Sequence, residues 1–144
     1  MAPPVDLNYW AILVSAVASF ILGALWYSPV MFVKPWRKMM GLTQQHMEEA
    51  KKKGMKKVMA KLYIGNFIAT LIMVYVLSHF VDYAQAKTIT DGLQLGLWVW
   101  LGFIATLLFG SILWEGKPFK LFLINAGYRL VELLIVASIL SAWA

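Results

Sequence analysis

The sequence contains no cysteine, only two histidines, and few charged residues, which make up 14% of its 144 positions. Without cysteine there is no disulfide, no thiolate zinc site and no thiol nucleophile, and two histidines exclude a histidine-rich metal cluster. A P-loop, a dinucleotide-binding fingerprint and a carboxylate pair spaced for acid–base chemistry are also missing. We therefore expect no metal, no cofactor and no enzymatic activity.

Hydrophobic residues are in marked excess. They account for 61% of the chain and raise its mean hydropathy to +0.71, whereas soluble domains have about 45–50% apolar residues. One soluble core of this size cannot bury such an excess. The composition therefore indicates an integral membrane protein and excludes a water-soluble enzyme.

Four apolar stretches reach the roughly 20 residues that a membrane-spanning helix needs. The first is preceded by Asp6 and by no lysine or arginine, and it is longer than the core of a signal peptide, so we expect it to be retained. The predicted fold is all-α, with residues 1–144 forming a single membrane domain. The predicted spans are residues 8–28, 62–82, 93–114 and 119–142.

Positive charge is concentrated between the first two spans, where residues 29–61 hold nine lysines and arginines. Lys117 and Lys120 lie between the third and fourth spans, Lys87 lies on the opposite side, and Arg129 lies within the fourth span. By the positive-inside rule, both basic connections face the cytoplasm and both termini lie outside it. The net charge of +6 is thus local and favours anionic lipid over nucleic acid as its partner.

The long basic segment 29–61 also predicts a helix of its own. Thr43 is a suitable N-cap, and the pairs Glu48–Lys52 and Glu49–Lys53 have a helix-stabilising spacing. A basic amphipathic helix on the membrane surface fits this pattern. It would serve as a topology determinant and lipid anchor, or as a docking surface for a cytosolic partner. The predicted lipid headgroup contacts are Lys34, Trp36, Arg37, Lys38, Lys51, Lys52, Lys53, Lys56 and Lys57.

The two halves of the chain resemble each other. The second span starts at Lys61-Leu-Tyr-Ile-Gly-Asn66 and the fourth at Lys120-Leu-Phe-Leu-Ile-Asn125, which predicts two hairpins related as a parallel repeat. The first and third spans each carry small residues at every fourth position, a pattern that lets helices approach closely. We therefore expect a homo-oligomer. These helix-packing residues are Ser15, Ser19, Gly23, Gly102, Thr106 and Gly110.

Polar residues occur deep in the fourth span. Asn125, Tyr128, Arg129 and Glu132 are spaced to share one face of the helix. Each charge there costs about 2.5–3.5 kcal/mol on insertion scales, so the two must pair or face a wet interior. The repeat adds Asn66 and Thr70 of the second span to this site. Two interpretations remain: a polar cavity or ion path, and a satisfied buried network that fixes helix register.

Four separated motifs resemble the small bacterial membrane proteins grouped as domain of unknown function 1761. The resemblance covers nearly the whole chain and implies a four-helix protein of the bacterial inner membrane, but no activity. The motifs are Leu25-Trp-Tyr-Ser-Pro29, Gly41-Leu-Thr43, Leu113-Trp-Glu-Gly-Lys-Pro118 and Asn125-Ala-Gly-Tyr128.

Three functions are compatible with this sequence. A homo-oligomeric structural or interaction protein is favoured, because packing signals abound and recognisable catalytic residues are absent. The intramembrane polar residues support a small transporter or channel component as the alternative. A membrane-embedded enzyme that modifies lipid is the third.

Overall fold

The computed structural model describes residues 7–27 and 54–143, with five isolated positions between them at 35, 38, 45, 48 and 49. These residues are mostly helical and contain no β-strand. The four long helices are α1 (Tyr9–Trp26), α2 (Met55–Tyr83), α3 (Ile89–Glu115) and α4 (Phe119–Ala142). All four are long and apolar enough to cross a membrane. The all-helical, multi-pass architecture predicted from the sequence is therefore confirmed.

Most of the basic segment 29–61 lies outside the described residues, and the predicted amphipathic helix lies there with it. The same holds for Lys34, Trp36, Arg37, Lys51, Lys52 and Lys53, and for the side chain of Lys56. Lys38 and Lys57 are described, and both are exposed. The lipid contacts assigned to this segment stay a prediction, as does the repeat.

The helix ends follow from local sequence. Asn8 caps α1, because its side-chain oxygen accepts a hydrogen bond from the backbone of Ala11. Thr88 and Asp91 form a reciprocal capping box at the start of α3. Gly116 ends α3 with a φ of 66°, a left-handed conformation that suits glycine. Within α3, Trp100–Ala105 form a π-helical segment.

The fourth helix is the centre of the bundle, and the other three pack against it. The side chain of Asn8 donates to the backbone oxygen of Trp143 (3.0 Å). At the other end of α1, the indole of Trp26 donates to the backbone oxygen of Ile124 (3.0 Å). The helices α1 and α4 are therefore antiparallel neighbours. We call the end where α1 stops and α2 starts the loop end.

The apolar core fills the half of the bundle that lies away from the loop end. Val74, Leu77 and Val81 of α2 join this core, together with Val136 and Leu140 of α4. In contrast, the stretch 61–66 at the loop end of α2 is exposed throughout. The bundle is thus closed in one half and open in the other.

Glycines set the close approach of α3 to α4. A Cβ atom at Gly92 would lie 2.6 Å from the backbone oxygen of Ala137, and one at Gly96 would lie 2.9 Å from that of Leu133. No side chain fits at such distances, so these glycines allow the backbones to touch. Gly92 and Gly96 form a G-x-x-x-G pattern, and they were not among the helix-packing residues predicted from the sequence.

The two predicted small-residue stripes lie in different environments. On α1, Ser15 and Ser19 are buried, and a Cβ atom at Gly23 would lie 3.0 Å from the hydroxyl of Tyr128. On α3, Gly102 and Thr106 are exposed, and no described atom lies within 4 Å of a Cβ built at Gly102 or Gly110. The first stripe therefore packs within the chain, and the second faces outward.

Candidate functional site

Glu132 carries a buried carboxylate, with 1% of the residue exposed. Its Oε2 accepts hydrogen bonds from the hydroxyl of Ser19 on α1 and from the hydroxyl of Tyr128 (2.7 Å). Its Oε1 accepts from the guanidinium of Arg129 (2.8 Å). Three donors thus compensate one buried charge, as burial of a carboxylate requires.

Arg129 is much less enclosed than Glu132, because 40% of its side chain is exposed. It lies 5.0 Å from the centre of the Tyr128 ring, within reach of a cation–π interaction. An arginine carries five N–H donors. Within the described part of the chain, the hydrogen bond to Glu132 is the one that Arg129 donates. Its remaining donors have no hydrogen-bond acceptor among the described residues.

Arg129 lines a cleft between α1, α2 and α4, which we call the loop-end cleft. Its volume is about 340 Å³. Tyr27 marks the loop end of α1, and Tyr63 and Asn66 lie on the exposed first part of α2. The cleft therefore extends from the guanidinium towards the loop end. The remaining lining residues are Phe20, Gly23, Ala24 and Tyr128.

A second cleft, here called the lateral cleft, lies between α2 and α3 with α4 as its floor. Its volume is about 290 Å³, and Asn66 and Arg129 line it as well. Phe103 and Leu107 stand at its mouth with 66% and 71% exposure. The two clefts thus meet at Arg129, one with a mostly polar or aromatic wall and the other with an apolar one. The remaining lining residues are Ala69, Thr70, Met73, Ile104, Leu108, Glu132 and Leu133.

The structure brings most of the predicted polar residues together, but in different roles. Arg129 and Glu132 form an ion pair within one helix. Asn125 accepts a hydrogen bond from the hydroxyl of Tyr27 (2.7 Å) and so helps to hold α1 on α4. Thr70 is buried and donates to the backbone oxygen of Asn66 in its own helix (2.8 Å). Asn66 is exposed at the wall shared by both clefts.

Sequence reasoning missed three contributors to this site. Ser19 was predicted to be a packing residue, and it is a hydrogen-bond donor to Glu132. Tyr27 was predicted to be an aromatic anchor at the end of the first span, and it lines the loop-end cleft. Tyr63 also lines that cleft, and its ring packs edge-on against Phe20 (5.7 Å between centroids). A serine at helical spacing within an apolar span was the available signal.

The two charged groups of this site differ in their surroundings. The described residues include no group of three or more histidine, cysteine, aspartate or glutamate side chains that could hold a metal. Glu132 is enclosed and occupied by its three donors, whereas Arg129 presents a planar array of donors to two clefts. Such an array matches the oxygens of a carboxylate or a phosphate.

Together, the fold and the site define a multi-pass α-helical membrane protein with an ion pair inside its helical bundle. The family described as "Protein of unknown function (DUF1761)" matches residues 10–141. The chain belongs to that family, as the sequence motifs predicted. Neither a curated protein nor a solved structure gives a significant match.

Proposed function

We propose that this protein binds an anionic group inside the membrane at Arg129, as the binding component of a small transporter. The observation that supports this proposal is that the side chain of Arg129, near the middle of the 24-residue helix α4, is 40% exposed. A charge at that depth is costly. Neutralising Glu132 takes one of the five N–H donors that Arg129 carries. Glu132 is enclosed, whereas Arg129 opens onto two clefts.

The competing explanation is a closed network whose purpose is to fix helix register. It accounts for Glu132, because Ser19 of α1 and Tyr128 of α4 both donate to that carboxylate. It does not account for the exposed side of Arg129. The two explanations therefore differ in one measurable property, which is whether water and anions reach the guanidinium.

Cysteine accessibility measures this property directly, since the natural chain contains no cysteine. Asn66→Cys places a thiol at the wall shared by both clefts. Ile64→Cys is the matched control, because Ile64 is exposed on the same helix and lines neither cleft. Both variants are reconstituted in liposomes and treated with an anionic and a cationic thiosulfonate reagent of similar size.

We expect the thiol at position 66 to react, and to react faster with the anionic reagent than with the cationic one. Inorganic phosphate should slow that reaction. The preference for the anionic reagent should disappear when Arg129→Leu and Glu132→Leu are introduced together, a change that removes both charges. An unreactive thiol at position 66, or the same charge preference at Ile64→Cys, contradicts an anion site at Arg129.

The same double variant tests transport. Replacing both members of a buried pair with apolar residues often leaves folding intact or improves it. We expect Arg129→Leu with Glu132→Leu to stay folded and to lose the flux of inorganic phosphate that the wild-type protein supports in liposomes. Unchanged flux in the folded double variant would eliminate a charged path.

The second candidate function is a homo-oligomeric structural or interaction protein. The outward stripe of Gly102, Thr106 and Gly110 supports it, because no described atom packs near a Cβ at either glycine. Thr106→Cys should then form a disulfide-linked dimer on mild oxidation in membranes. Leu97→Cys, exposed elsewhere on α3, should not. Monomer at both positions contradicts oligomerisation through this stripe.

We also propose that the protein resides in a bacterial inner membrane with both termini outside the cytoplasm. The charge distribution supports this orientation, since the basic connections belong on the cytoplasmic side and attract anionic lipid there. In intact cells, an impermeant thiol reagent should label Lys87→Cys and spare Lys57→Cys. The reverse pattern would invert the topology.

A further inference from the structure

The lateral cleft lies between two helices that do not pack on each other. Both α2 and α3 pack on α4, and over the described residues they make few contacts with each other. Away from the loop end, the space between them is filled by the core around Val74 and Leu133, against which Met73 and Ile104 pack. Closer to the loop end no described side chain fills it, and the gap widens into the cleft.

The walls of this cleft are apolar and its inner end is polar. Met73, Ile104, Leu107 and Leu108 form the walls, and the guanidinium of Arg129 lies at the floor. The strong exposure of Phe103 and Leu107 at the mouth shows that the cleft opens sideways, through the flank of the bundle. In a spanning protein that flank meets the hydrocarbon chains of lipids. A water-soluble anion has no access from that direction, whereas a lipid does.

The charged residues around the clefts agree with an anionic occupant. Arg129 lines both clefts, whereas Glu132 lines the lateral cleft alone and already accepts hydrogen bonds from three donors. The side chain of a helical residue leans towards the start of its helix, so Arg129 leans towards the loop end. At that end α2 begins with the exposed Lys57 and Lys61. Arg129 and the start of α2 thus both contribute positive charge towards the loop end.

We infer that the lateral cleft is a binding site for an anionic phospholipid, which enters between α2 and α3 and places its phosphate on Arg129. The apolar walls accept the first part of an acyl chain, and the loop-end cleft accepts the headgroup. Tyr27, Tyr63 and Asn66 supply polar edges around it. This inference rests on the proposed function, because it assigns the anion of that function to a lipid.

Native mass spectrometry of protein released from nanodiscs tests the inference. The nanodiscs contain equal amounts of phosphatidylglycerol and phosphatidylcholine, which share chains and differ in headgroup charge. Leu107→Trp narrows the mouth of the lateral cleft with a bulkier side chain. Leu113→Trp is the matched control, because Leu113 is similarly exposed on α3 and does not line the cleft.

We expect the wild-type protein to retain phosphatidylglycerol in preference to phosphatidylcholine. Leu107→Trp should reduce that retention by about tenfold, and Leu113→Trp should leave it unchanged. Equal retention of both lipids, or no effect of Leu107→Trp, overturns the lipid assignment. In that event, a charge preference at Asn66→Cys would still support an anion site at Arg129.

The double variant Arg129→Leu with Glu132→Leu tests whether Arg129 holds the headgroup. Loss of the preference for phosphatidylglycerol in this folded variant supports the lipid assignment. An undiminished preference overturns the lipid assignment, because the headgroup would then be held elsewhere, whereas the anion site at Arg129 stands or falls with the thiol reactivity at Asn66→Cys. The helical content of each variant, measured by circular dichroism, ensures that folded proteins are compared.

Discussion

Ser19 on α1 donates a hydrogen bond to Glu132 on α4, and both residues are 1% exposed. This contact joins two helices whose residues are more than a hundred positions apart in sequence. It also gives one member of the small-residue stripe on α1 a charged partner. Ser15, one turn earlier on the same stripe, is fully buried, and its hydroxyl finds no hydrogen-bond partner among the described residues.

This difference predicts unequal effects of the same substitution. Ser19→Ala removes one of three donors to a buried carboxylate and should lower the free energy of unfolding by about 1–2 kcal/mol. Ser15→Ala removes a hydroxyl that makes no hydrogen bond to a described residue. It should lower the free energy of unfolding by less than about 0.5 kcal/mol. Denaturation in mixed micelles, followed by circular dichroism, measures both. Equal effects would mean that the Ser19 hydroxyl does not support Glu132.

The ion pair between Arg129 and Glu132 predicts strongly non-additive substitutions. Glu132→Leu leaves a cation inside the bundle and deprives two hydroxyls of their acceptor, so we expect a loss of about 3–5 kcal/mol. Arg129→Leu leaves Glu132 with two donors and an uncompensated charge, and its loss should be similar. The double variant should be close to the wild-type protein, because the hydroxyl of Tyr128 already lies 3.4 Å from the backbone oxygen of Ser19.

A thermodynamic cycle built from these three variants measures the coupling. Additive losses in the double variant would show that the two side chains act independently. In that case the interaction between the two side chains does not itself stabilise the folded protein.

Sequence spacing predicted which residues share a face, because that property depends on one helix alone. The pairing of Arg129 with Glu132 follows from their separation by three positions, and the structure contains it. The hydrogen bond between Ser19 and Glu132 could not be predicted in this way. It depends on the register between α1 and α4, which is set by packing along the whole length of both helices.

The glycines also show that sequence spacing does not predict which helix faces contact each other. Gly102 and Gly110 were selected because they align with the stripe on α1, yet it is Gly92 and Gly96 that contact α4. Both sets have the four-residue spacing of close-packed helices. Spacing identifies a smooth face, whereas the direction of that face depends on where the neighbouring helix lies. A polar cavity was one interpretation of the sequence, but the position of the lateral cleft could not be predicted for the same reason, since it depends on the gap between α2 and α3.

Substitution of these glycines should therefore have opposite outcomes. Gly92→Ala forces a Cβ to within 2.6 Å of the backbone oxygen of Ala137, and the helices must separate at a cost of about 1–3 kcal/mol. Gly102→Ala meets no described atom and should be neutral or stabilise the helix by up to about 1 kcal/mol. Denaturation of both variants in micelles gives the comparison. A tolerated Gly92→Ala would contradict the close approach of α3 to α4.

Trp100 opens the π-helical segment of α3, and its indole donates to the backbone oxygen of Ala126 on α4 (2.8 Å). Trp100→Phe keeps an aromatic ring and removes this donor, so we expect a loss of stability of about 0.5–1.5 kcal/mol. Trp114→Phe is the control, because Trp114 is 92% exposed on the same helix and should change stability by less than about 0.5 kcal/mol.

The hydrogen bond from Trp100 to Ala126 lies three residues from Arg129 along α4, so its loss should also loosen the wall of the lateral cleft. The signature is faster modification of Asn66→Cys in the Trp100→Phe background than in the Trp114→Phe background. Equal modification rates would show that the π-helical segment supports folding without shaping the cleft.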